Sequence, residues 1–66
     1  MKILYELIHA RAAQDWTDPI NSTNYNLYAA HWIETARLLA KEFEDNGLPE
    51  TAKALELIAQ QQERFT

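Results

Sequence analysis

The chain contains no cysteine, a single glycine, two prolines and only six lysines and arginines among its 66 residues. Without cysteine there is no disulfide framework, no thiolate nucleophile and no cysteine-based zinc site. One glycine leaves no loop able to cradle a phosphate with successive backbone amides. Ten aspartates and glutamates outweigh the basic residues and set the net charge at −4. Attraction to a phosphate backbone depends on clustered Lys and Arg, so direct nucleic-acid binding is not expected. Apolar runs are short and interrupted throughout, which offers neither a membrane span nor a signal segment and makes a cytoplasmic location the expectation. What is present is an ordinary globular composition, 47% apolar and 24% charged, in a length that suits one domain over residues 1–66. A domain of this size buries only about 60% of its unfolded surface, so its stability depends on close packing or on a partner.

Three segments carry a helical period, and no stretch alternates with period two for long enough to make a strand. The expected architecture is all-α, with helices over about 2–15, 23–46 and 49–64. Asp18-Pro19 ends the first, because the residue before proline avoids helical angles and Pro19 has no backbone donor. The cluster Asn21-Ser22-Thr23-Asn24 supplies side-chain oxygens of the kind that cap a helix start. Asn46-Gly47 reads as a helix stop with Gly47 in the left-handed region. Leu48-Pro49-Glu50 restarts the chain, with Pro49 in a first turn and Glu50 beside the positive helix end. So short a turn makes the second and third helices an antiparallel hairpin.

Helical spacing predicts the buried faces. In the second helix Tyr25, Ala29, Trp32, Ala36, Leu39 and Phe43 recur in steps of four and three, flanked by Tyr28, Ile33 and Ala40, which is a bundle seam. In the third, Ala54, Leu57, Ile58 and Phe65 form a stripe with Leu55 at its edge. The first helix carries two stripes. Ile3, Leu4, Leu7 and Ile8 make one, interrupted a turn later by Arg11 and Gln14; Tyr5, His9, Ala12 and Trp16 make another, nearly opposite. A two-helix hairpin is not expected to satisfy both. The second stripe then needs a cover, either the 17–23 segment anchored by Ile20 or another chain.

Few constellations carry chemistry. Glu6 and His9 share one helix face, as do His31 and Glu34, a spacing that bundles use for metal ligands. Both pairs lie off the main apolar stripes, so no metal and no cofactor are expected. Ser22 is the only serine and is explained as a cap, while a triad with His31 and Asp15 or Asp18 would lack an oxyanion site and room for a pocket. No enzymatic activity is expected. Arg11 interrupts an apolar stripe and is expected either to pair with Asp15 or Asp18 or to be presented to a partner, since Arg is enriched at interface hot spots. Leu27 and Leu38, with His31 and Glu34 between them, mark a face opposite the main seam. Glu42, Glu44, Asp45 and Glu50 make the hairpin tip acidic.

By elimination, the expected function is that of a small acidic module binding a larger protein or protein complex, as inhibitor or regulatory subunit. Its expected contact residues are Tyr5, His9, Arg11, Trp16, Leu27, His31, Leu38, Glu42, Glu44 and Asp45. Chains of this length are common among phage and mobile-element accessory proteins, including those that act against host defence complexes, and that is the expected setting. Three alternatives remain open at this point. One is a homodimer joined through Tyr5, His9 and Trp16. A second is an acidic tip that mimics nucleic acid in a basic groove. The third is a metal-binding bundle on Glu6, His9, His31 and Glu34.

Overall fold

The computed structural model describes residues 2–17, 19 and 24–64. They form three helices, α1 (Lys2–Asp15), α2 (Tyr25–Asp45) and α3 (Pro49–Glu63), and no strand occurs among the described residues. The all-α expectation holds, and each helix lies within two residues of its expected bounds.

The turn joining α2 to α3 follows from one residue type. Gly47 adopts φ +81°, a region where a β-carbon would cost on the order of 1 kcal/mol. That conformation lets the Leu48 amide donate to the Phe43 carbonyl at 2.9 Å and the Gly47 amide to Glu44 at 3.1 Å. These are the two bonds of a Schellman stop, and they satisfy carbonyls that the helix end would otherwise leave unpaired. Asn46 adds a side-chain bond from Nδ2 to the Glu42 carbonyl at 2.7 Å. Pro49 then opens α3 at a position that needs no amide donor.

The start of α2 is built differently from expectation. Asn24 occupies the position before the first turn, but its side chain does not cap the helix. Its Nδ2 instead donates to the Pro19 carbonyl at 2.8 Å, tying the incoming chain to the helix. Asn21, Ser22 and Thr23, also expected to cap, lie outside the described residues.

The hairpin core is made of small and medium side chains. Ala36 and Ala40 on α2 and Ala52 and Ala59 on α3 are buried together with Ile33, Leu39, Leu55 and Ile58. Four alanines let the two backbones approach closely, while Leu55 and Ile58, both fully buried, fill the space between. This corrects the stripe expected on α3. Burial centres on Leu55, which has no exposed surface, and Leu57 is 55% exposed. The face with small residues came closest to the neighbouring helix, and the larger Leu57 was left outside. On α2 the buried set is likewise wider than one seam, since Tyr28, Ile33 and Ala40 are buried whereas Tyr25 at the helix start is exposed. Ala29, Trp32 and Phe43 are half-buried. Phe65 lies outside the described residues.

Helix α1 lies across α2 rather than along it. Tyr5 stacks near Trp32 with ring centroids 6.0 Å apart, His9 meets the Tyr28 hydroxyl, and Trp16 packs on Tyr28 and His31. Residues from Tyr5 to Trp16, the latter just past the end of α1, therefore all meet about one turn of α2. On its other side α1 reaches the C-terminal half of α2, where Arg11 pairs with Glu42 and Leu7 shares a shallow groove with Leu39. The crossing explains how one neighbour serves two stripes. Ile8 and Ala12, fully buried, lie between them and mark the crossing line, while Ile3 at the far edge is 78% exposed. The expectation that both faces cannot be satisfied within the hairpin is met in part: α2 buries Ala12 and half-buries Tyr5 and Trp16 of the second stripe, while His9 stays exposed. Ile20, expected to anchor a covering loop, lies outside the described residues.

Candidate interaction surfaces

The aromatic cluster at the crossing is the most elaborate arrangement in the molecule. Trp16 sits edge-on to Tyr28 at 5.4 Å and nearly stacked on His31 at 5.4 Å, geometries that suit the ring quadrupoles. The His31 Nε2 lies 3.1 Å from the Ala12 carbonyl. A carbonyl only accepts, so Nε2 carries the proton and donates. Ala12 belongs to the last turn of α1, whose carbonyls lack intrahelical partners; His31 thus closes the end of α1 from a neighbouring helix. Tyr28 and His9 form a second cross-link, hydroxyl to Nδ1 at 3.3 Å. Thr35, buried one turn after His31, donates its hydroxyl to the His31 carbonyl at 2.8 Å, which satisfies it within the helix. The Trp16 indole nitrogen is buried and has no hydrogen-bond acceptor among the described residues.

These contacts relocate several of the expected site residues. Tyr5 and Trp16 are half-buried against α2, so their rings serve the fold. His31 is likewise engaged at the crossing, although part of its ring remains accessible. His9 stays largely exposed. Arg11 pairs with Glu42, 3.3 Å away on α2 and half-exposed, rather than with the expected Asp15 or Asp18; Asp18 lies outside the described residues. Such a pair is worth under about 1 kcal/mol in solvent. Glu6, His9, His31 and Glu34 do not converge, and no group of three or more metal-ligating side chains occurs among the described residues. Ser22 lies outside the described residues, and the His31 Nε2 that a triad would use is bonded to Ala12.

Among the described residues, three surfaces offer candidate contacts. The first is a groove of about 210 Å³ between His9, Gln62 and the α2 residues Tyr25, Tyr28 and Trp32. Sequence reasoning placed Tyr25 in the seam and missed this groove; the available signal was the position of Tyr25 at the very start of α2, where a helix outruns its neighbours. The second is the outer face of α2, where Leu27 is 67% and Leu38 56% exposed. Beside Leu38 lies a smaller groove of about 100 Å³, with Leu39 in its wall and Asp15, Glu34 and Glu42 around it. The third is the hairpin tip, where Glu42, Glu44, Asp45 and Glu50 are all exposed around Leu48. Sequence reasoning saw the acidic residues of the tip and missed the apolar side chain among them.

No family model matches the chain, and comparison with curated proteins and with solved structures finds no significant similarity. No helix among the described residues is long and apolar enough to cross a membrane.

Proposed function

We propose that this chain is a protein-interaction module that binds a larger protein, as inhibitor or regulatory subunit, and that the α2–α3 tip makes the contact. The observation that carries this reading is Leu48, 49% exposed at the apex of a turn held by two backbone hydrogen bonds. A large apolar side chain on a rigid turn is already ordered before it binds, so little conformational entropy is lost on association. Its neighbours Glu44, Asp45 and Glu50, all exposed, fit an apolar pocket with a basic rim, because complementary charge speeds encounter and fixes orientation. The relocation of Tyr5 and Trp16 into the α1–α2 crossing supports the tip further, since it removes two of the aromatic anchors first considered for binding. A phage or mobile-element protein acting on a host complex remains the proposed setting.

The test is affinity capture from a lysate of the producing cells with the wild-type chain, L48K and the double variant E44K/D45K in parallel. The expected result is a specific protein retained by the wild type, lost with L48K, and held by the double variant with a weaker dependence on salt. Retention of the same protein by all three chains would exclude the tip.

A further inference from the structure

We draw no further inference here: the strongest candidate, the aromatic groove of about 210 Å³ lined by His9 of α1, Tyr25, Tyr28 and Trp32 of α2 and Gln62 of α3, is an unpartnered face, and nothing in the structure shows what covers it.

Discussion

The two helix–helix interfaces of this protein are built on different plans. Between α2 and α3 the buried contact is apolar and fine-grained, with four buried alanines around Leu55 and Ile58 and a turn closed by backbone bonds; at its half-exposed edge Arg37 pairs with Glu56 and Glu63. Between α1 and α2, Ile8 joins the same buried core, and to it are added an aromatic cluster, with Trp16, Tyr28 and His31 in mutual contact, and three side-chain hydrogen bonds across the crossing. The hairpin helices are adjacent in sequence and can align along their length, which rewards small residues and close approach. A crossing helix meets its neighbour over a short stretch, and large rings extend that contact where alanines could not. The hairpin thus supplies most of the apolar core, and α1 joins it through Ile8 and the aromatic cluster.

Substitutions can test that division. Leu55→Ala should have the largest effect, about 3 kcal/mol, because it opens a cavity at the fully buried centre of the hairpin. In a domain this small that lowers Tm by more than about 10 °C, read by thermal unfolding, with all three helices lost together. Trp16→Ala should cost about 2 kcal/mol, less than a fully buried tryptophan because the side chain is half-buried. Its effect should be local: amide exchange speeds up in α1 while α2 and α3 stay protected. Equal acceleration in all three helices would show that the hairpin does not stand apart. Arg11→Ala should be the mildest, no more than about 0.5 kcal/mol in chemical denaturation, since the Glu42 pair is solvent-exposed on both sides. A cost above about 1.5 kcal/mol would make that ion pair a real tether for α1.

Local signals were legible where local chemistry decides. Gly47 and Pro49 announce the turn because glycine takes the left-handed region that other residues avoid and proline fixes φ and lacks an amide donor, and the three helices follow from period and punctuation. Faces were less legible where size and burial disagree. Leu57 outweighs Ala52 or Ala59 on any hydropathy count, yet the alanines are buried and Leu57 is not, because the closeness of two backbones is a property of the pair. The tip of the candidate site was half legible: its carboxylates stand together in sequence, but the exposure of Leu48 depends on the turn geometry. Tyr5 and Trp16 looked like surface anchors because two stripes on one helix exceed what a two-helix hairpin was expected to cover, whereas a crossing helix uses two faces at once.

The sequence by itself determined that this is a three-helix protein with a hairpin at Gly47, an acidic tip and no cysteine chemistry, because propensity, capping and charge act over a few residues. Only the tertiary structure decided that α1 lies across α2, that His31 closes the end of α1, and that the face bearing Leu27 and Leu38 stays open. Those outcomes depend on which surfaces compete for the same space, and that competition is settled by packing between segments far apart in the chain.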